Sequence, residues 1–346
     1  MKKLSLLMVL LLSTSVIAET FTYIVPAAID GGNAKWAQKF TKEWNKELAK
    51  EGHDIILRYV PGQGGLKGFT KYHTEMSDDN LVLVQSKGFF DYVTVPESSW
   101  KGFDPTDVDY IGGQLQGTFV FIKSKMMLSM RLNAEGTLNI PYAPNLLIDT
   151  MGIYLMLCGN LPTIEETMAC GDTKTNRIIG FKGMGSMRMA YLSDGLDVAR
   201  DGFSHMSKTY KEEIKSGETL IWFTHGTVTD SGDMGVDPNT DGSLDFHKLF
   251  EDKHGAAPSG EFYDAYITLS TMRSGLGKWV FTRKDNPFYD VLVRTFNETV
   301  KNSRKSLAKS LGVYPWNTGN TIPLSIFERL NDTTTKSIRA INGAIK

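Results

Sequence analysis

The chain is poor in the residues that most often carry chemistry. Its six histidines are His53, His73, His205, His225, His247 and His254. None falls in a His-x-x-x-His or His-Glu-x-x-His pattern, which argues against a zinc enzyme. No Gly-x-Ser-x-Gly elbow is present, because Gly183-Met184-Gly185-Ser186-Met187 has its serine one place late. Acidic pairs such as Glu165-Glu166 are ordinary on a solvated face. No catalytic constellation is therefore expected. An excess of one charge is lacking too. The formal net charge is −1, and −3 once Lys2 and Lys3 are lost with an export segment. That balance excludes an electrostatic footprint for nucleic acid, and any anion site must be local.

Long hydrophobic runs are also missing. Leu4 to Leu12 is a short, largely apolar run, well below the ~20 residues that cross a bilayer. Lys2 and Lys3 precede it and Val16-Ile17-Ala18 follow it, so residues 1–18 read as a cleavable signal peptide. An uncleaved N-terminal anchor is the alternative. No cysteine follows Ala18, which speaks against a lipoprotein anchor. The expected mature protein is soluble and periplasmic. The two cysteines, Cys158 and Cys170, are an even count in an exported chain and point to a disulfide around Gly159-Asn160-Leu161-Pro162. Two buried free thiols are the alternative. No Cys-x-x-Cys supports a redox or metal role.

What the chain does have is glycine in two particular places. Pro26-Ala27-Ala28-Ile29-Asp30-Gly31-Gly32-Asn33 lies between a strand-like run, Phe21 to Pro26, and a helical one, Asn33 to Lys50. Pro61-Gly62-Gln63-Gly64-Gly65-Leu66-Lys67-Gly68 lies between Ile55 to Val60 and Leu66 to Met76. With a third strand at Leu81 to Gln85 this is a β-α-β-α-β start, which predicts a mostly parallel sheet with right-handed crossovers. Ligands bind such sheets outside the carboxyl ends of the strands, where both loops lie. Helix N-termini there favour anions. The second loop is not a dinucleotide fingerprint, because Lys67 stands where the third glycine belongs. Nor is it a P-loop, since no Gly-Lys-Ser/Thr follows. Two plain tight turns are the alternative to a backbone-amide cradle.

A second unit is expected from about Gly117 to Phe223. Its strands are Phe119 to Ile122, Leu138 to Tyr142, Ile178 to Phe181 and Leu220 to Thr224, and its helices Thr150 to Leu157 and Met187 to Ser193. Thr227 to Ser243 is polar and rich in Gly and Asp, and reads as a surface insertion. A C-terminal helix starts after Asn286-Pro287 and carries a stripe from Phe288 to Leu311, stopped by Gly312. One last helix is predicted from Pro323 to Ile341. Within the insertion, Asp237, Asn239, Asp241, Ser243 and Asp245 fall where a calcium loop places oxygen ligands, with Gly242 at the turn. Lys248 stands where the bidentate Glu belongs. An aspartate-rich turn without metal is the alternative.

In these residues the chain resembles the periplasmic solute-binding proteins of tripartite tricarboxylate transporters, the Bug or TctC family. The carriers of the resemblance are Ile24-Val25-Pro26 leading to Gly31-Gly32, and Pro61 to Gly68, which follows the family's Pro-Gly-x-Gly-Gly-x-x-Gly loop throughout. They continue with Gly180-Phe181-Lys182-Gly183, Leu192 to Ala199, and Leu311-Gly312. The resemblance covers nearly all of the mature chain. It implies a two-lobed α/β fold of the type II periplasmic binding protein kind, each lobe a mostly parallel sheet flanked by helices. Lobe 1 would comprise 19–116 and 227–346, with the insertion at 227–243, and lobe 2 would comprise 117–226. It further implies a non-enzymatic monomer that holds a di- or tricarboxylate by loop N–H groups and hydroxyls, needs no cofactor, and docks on membrane permease subunits. The expected ligand contacts are Ala28, Gly31, Gly32, Asn33, Gly64, Gly65, Ser86, Asn145, Ser186 and Asp201. Two departures stand out: Asn33-Ala34-Lys35 after the first glycine pair, and the insertion. Lys35 would either charge the cleft or face solvent. Phe89 and Phe90 would either wall the cleft or belong to the core. A calcium-dependent secreted interaction protein is the competing class. It predicts a calcium effect without a small-molecule ligand, whereas a hydrolase would need a substrate.

Overall fold

The computed structural model describes residues 18–100, 102–131, 136–143, 146–181 and 184–345. The first three strands are β1 (Thr20–Val25), β2 (Asp54–Tyr59) and β3 (Val82–Gln85). They pair in parallel with β1 in the middle. Their crossovers are α1 (Gly32–Leu48) and α2 (Leu66–Glu75). Helix α1 forms because Trp36, Phe40, Trp44 and Leu48 recur every fourth residue and are buried together. β4 (Val108–Gln114) ends this first passage.

Leu115 to Thr118 then carry the chain to a second set of strands. Central β5 (Phe119–Lys123) pairs antiparallel with β8 (Val198–Asp201) and β9 (Thr219–Thr224). β6 (Leu138–Pro141) pairs in parallel with β7 (Thr175–Ile178). β7 lies upstream of the predicted Ile178 to Phe181. Between these strands come α3 (Leu147–Cys158), α4 (Ile164–Lys174) and α5 (Met184–Leu192). Helix α4 begins with a capping box: Thr163 accepts from the Glu166 N–H, and the Glu166 carboxylate accepts from the Thr163 N–H. The Cys158–Cys170 disulfide is present, with Cα atoms 6.1 Å apart, and fastens the end of α3 to α4.

The return passage opens with the short hairpin β10 (Thr227–Val228) and β11 (Met234–Gly235). Helices α6 (Phe246–His254) and α7 (Glu261–Leu276) lead into β12 (Trp279–Arg283). Then come α8 (Tyr289–Leu311), β13 (Trp316–Thr318), α9 (Thr321–Glu328) and α10 (Asp332–Ile345). The large sheet has the order β13-β4-β12-β3-β1-β2. β12 and β13 are antiparallel to their neighbours. β12 arrives from the second strand set and so enters from the opposite end. The α/β class is as expected, with parallel pairing within β1–β3 and between β6 and β7, and antiparallel pairing around β5, β12 and β13. The single predicted last helix is two helices. The Asn331 side chain accepts from the Thr334 N–H at 2.8 Å and caps α10.

One core lies between the large sheet, α1 and α8, where Trp36, Phe40, Trp44, Phe296 and Trp316 stack and tilt on one another. A second runs without a break from Phe69, Phe89 and Phe281 under the large sheet, through Tyr266 and Leu269 of α7, to Val120 and Phe223, and a third gathers Phe119, Phe121, Tyr191 and Tyr210. Phe89 is thus a core residue. The insertion is tied down more tightly than a surface loop. Arg329 binds the Ser231 and Gly232 carbonyls at 2.7 and 2.9 Å. Asp237 is fully buried and accepts from the Tyr314 hydroxyl at 2.9 Å. It also sits so close to the crossing segment that a Cβ on Gly117 would fall 1.6 Å from its carboxylate, so only glycine fits there.

Candidate functional site

Two antiparallel steps through β12 give β4 the direction of β3. The carboxyl ends of β1, β2, β3 and β4 therefore share one edge with the amino ends of β12 and β13. The pairings Gln85 with Val280, Gly113 with Trp279 and Gln114 with Trp316 mark that edge. Both glycine loops open onto it.

At the first loop Gly31 is the extended N-cap of α1, with no side-chain cap and no acidic residue in the first turn. Its own N–H turns back to the Ala28 carbonyl at 2.9 Å. Gly31 is therefore not the amide donor expected, and Ala28 is exposed with its carbonyl engaged. Helix geometry leaves the first-turn amides of Gly32, Asn33 and Ala34 without an intrahelical carbonyl, so the cradle at this end begins at Gly32. Lys35 is exposed. In the second loop Gly62, Gln63, Gly64 and Gly65 all have positive φ, at 131°, 48°, 69° and 131°. Glycine is required through most of this turn. The Gly65 N–H is taken up by the Gly62 carbonyl at 3.0 Å, and the Lys87 ammonium holds the Gly64 carbonyl. A Cβ on Gly68 would come within 2.8 Å of Pro26, so the two loops pack directly against each other.

Asn33 and Ser86 meet at the entrance to β12, though not as free ligand groups. The Ser86 hydroxyl is buried and bonded to the Leu276 and Trp279 backbone. Asn33 donates to the Gly277 carbonyl at 3.3 Å, and its side-chain oxygen accepts from Lys278 Nζ. Lys278 is only 7% exposed. Burial, with Lys87 and Arg200 close by, pushes its ammonium well below the ordinary lysine pKa. Among the described residues no carboxylate forms an ion pair with it. The Gln85 amide, 0% exposed, also has no partner at either end.

Arg200 on β8 leads to a second charged group. Its Nε and Arg273 Nη1, from α7, both lie 3.1 Å from Asp149 Oδ2 on α3. The other oxygen of Asp149 meets His225 Nε2 at 3.1 Å, and His225 Nδ1 pairs with the Tyr266 hydroxyl at 2.9 Å. Two guanidiniums thus share one buried carboxylate. Arg200 also lies close to Lys278, as does Lys87, so that several cations gather at the junction of the two strand sets.

Of the remaining expected contacts, Asp201 is engaged by its own neighbours. Asp201 accepts from Arg188 Nε at 2.6 Å and pairs with His205 Nδ1 at 3.1 Å. Burial opposes its ionisation, but His205 and Arg188 outweigh that and hold its pKa below the usual carboxylate range. It fixes its own loop. Ser186 is exposed in the first turn of α5, and Asn145 lies outside the described residues. The calcium loop is not assembled. Asp237 turns inward to Asn239 and Tyr314, Asp241 bonds Ser243, and Asp245 caps α6 through the His247 and Lys248 N–H groups. Among the described residues no three His, Cys, Asp or Glu side chains converge as metal ligands. Lys278, Arg200 and Arg273 were not singled out from the sequence. The available signal was Lys278 itself, the lone charge in Leu276-Gly277-Lys278-Trp279-Val280-Phe281.

No family model and no curated protein matches the sequence. Solved structures do match. A TctC solute-binding protein from Polaromonas, without ligand, aligns at TM-score 0.52 and 14% identity over 95% of this chain and 98% of its own. MatC from Rhodopseudomonas palustris, with bound malate, aligns at 0.51 and 13% over 95% and 100%. A protein from R. palustris with adipate aligns at 0.57 and 11% over 94% and 98%. The chain therefore has the two-lobed α/β fold of periplasmic binding proteins. Its particular likeness is to solute-binding structures, two of which carry a dicarboxylate.

Proposed function

We propose that this protein is an exported, non-enzymatic solute-binding protein of the tripartite tricarboxylate type. It captures a small di- or tricarboxylate between its lobes and delivers it to membrane permease subunits. The observation that carries this reading is the sheet edge, where two glycine loops and the uncapped start of α1 face a cluster of cations. Dicarboxylates in the malate- and adipate-bound structures of the same fold support the same ligand chemistry. The lobes would be 19–116 with 227–346, and 117–226, the cleft lying between the large-sheet edge and β8. Export through the N-terminal segment would place the mature chain in the periplasm.

A thermal-shift screen of the mature protein against a carboxylate library tests this. A ligand that binds only the folded state at 100 times its Kd adds about 2.7 kcal/mol, a shift of several degrees. One group of di- or tricarboxylates should raise the melting temperature. No shift from any carboxylate, with a shift from an uncharged solute, would overturn the reading.

A further inference from the structure

Lys278 is a buried cation whose only described polar contact is the side-chain oxygen of Asn33. A lysine kept out of water without a carboxylate is costly to the empty protein. Among the described residues no backbone carbonyl accepts from its ammonium either. The fold nevertheless holds it firmly. Gly277 receives Asn33, the Ser86 hydroxyl grips the chain at Leu276 and Trp279, and β12 starts at the next residue. The charged groups facing it are Lys87 from the segment after β3 and Arg200 from β8, both of the same sign. Asn33 belongs to the first turn of α1, whose amides Gly32, Asn33 and Ala34 point their positive ends outward. A carboxylate lying against those amides would have the Lys278 ammonium beside it, because Asn33 already joins the two.

We propose that Lys278 is the residue through which this protein reads ligand charge, its ammonium pairing with one carboxylate of a ligand that carries at least two. This rests on the carboxylate-binding reading above and narrows it. Amide cradles alone favour any anion of the right shape. A buried ammonium held by Asn33, with the like charges of Lys87 and Arg200 close by, favours the more highly charged one.

The test is isothermal titration of the wild-type protein and a Lys278→Met variant with malate, adipate and the half-amide of each. For whichever dicarboxylate binds, the wild type should bind the half-amide at least about 100-fold more weakly, and Lys278→Met should lose about 100-fold or more for the diacid. The melting temperature of ligand-free Lys278→Met should equal or exceed that of wild type, because a structural role for the lysine would lower it. Equal wild-type affinity for diacid and half-amide would overturn the proposal even if the variant did not fold, while leaving carboxylate binding intact. So would diacid binding by Lys278→Met within about threefold of wild type. Inorganic phosphate bound as tightly as any carboxylate would overturn it as well. An uncharged solute as the sole ligand would instead remove the carboxylate reading on which it rests.

Discussion

Replacing Asp149 by asparagine should destabilise the protein by about 3–5 kcal/mol. Asp149 is 5% exposed, with two guanidiniums at 3.1 Å from one oxygen and His225 at 3.1 Å from the other. At 3.1 Å and an effective dielectric near 20, each guanidinium attracts the carboxylate by ~5 kcal/mol, much of it offset by desolvation of the ions. Asparagine keeps the shape and removes the charge. Arg200 and Arg273 then lose the charge that they share at Asp149 Oδ2. Their side chains are 16% and 17% exposed, which lets some water in and favours the lower half of the range. Urea unfolding followed by tryptophan fluorescence measures the loss. Arg273→Met in the same chain should recover part of it, since one of the two like charges at that site disappears. A change within about 0.5 kcal/mol of wild type, the range of ordinary surface substitutions, would refute the view that this carboxylate neutralises the junction.

Three further outcomes are expected. Gly64→Ala should cost more than about 1 kcal/mol in urea unfolding, because φ is +69° there and alanine must enter the left-handed region. An unchanged midpoint would mean the loop relaxes. Opening the Cys158–Cys170 bond by paired serine substitution should cost about 3 kcal/mol, given the sequence separation of 12, and near-identical thermal unfolding would contradict this. Lys278 titrates below its ordinary value when folded, so the unfolded chain holds the proton that the folded chain has lost. Between the depressed folded pKa and the unfolded ~10.4, the ligand-free protein should gain stability as pH rises, by up to ~1.4 kcal/mol per pH unit. Lys278→Met should flatten that slope, and parallel slopes for the two proteins would count against a lysine whose pKa burial lowers.

The first half of the large sheet was legible because its signals are local. Trp36, Phe40, Trp44 and Leu48 mark α1, and Pro61 to Gly68 marks the turn into α2 by residues that only such a backbone accepts. Helix α7 was not legible. It is buried on several sides, from Phe262 and Tyr266 to Leu269 and Met272, so it carries no single apolar stripe. The break between α9 and α10 turns on one Asn331 side chain. The calcium pattern in Asp237 to Asp245 was real as spacing. A tertiary contact nevertheless turns Asp237 to Tyr314, while Asp241 and Asp245 are taken up locally by Ser243 and the start of α6. The glycine loops mark the sheet edge at which we propose that ligand binds, yet the side chains around them come from sequence-distant elements. Asn33 meets Lys278, and Asp149 meets Arg200 and Arg273, only once both strand sets are folded.

Titration calorimetry of the mature, ligand-stripped protein with a panel of di- and tricarboxylates tests the central claim most directly. Saturable binding of at least one of them with one site per chain is expected, with affinity that weakens as ionic strength rises. Binding of none of them, alongside saturable binding of a neutral solute, would contradict carboxylate capture.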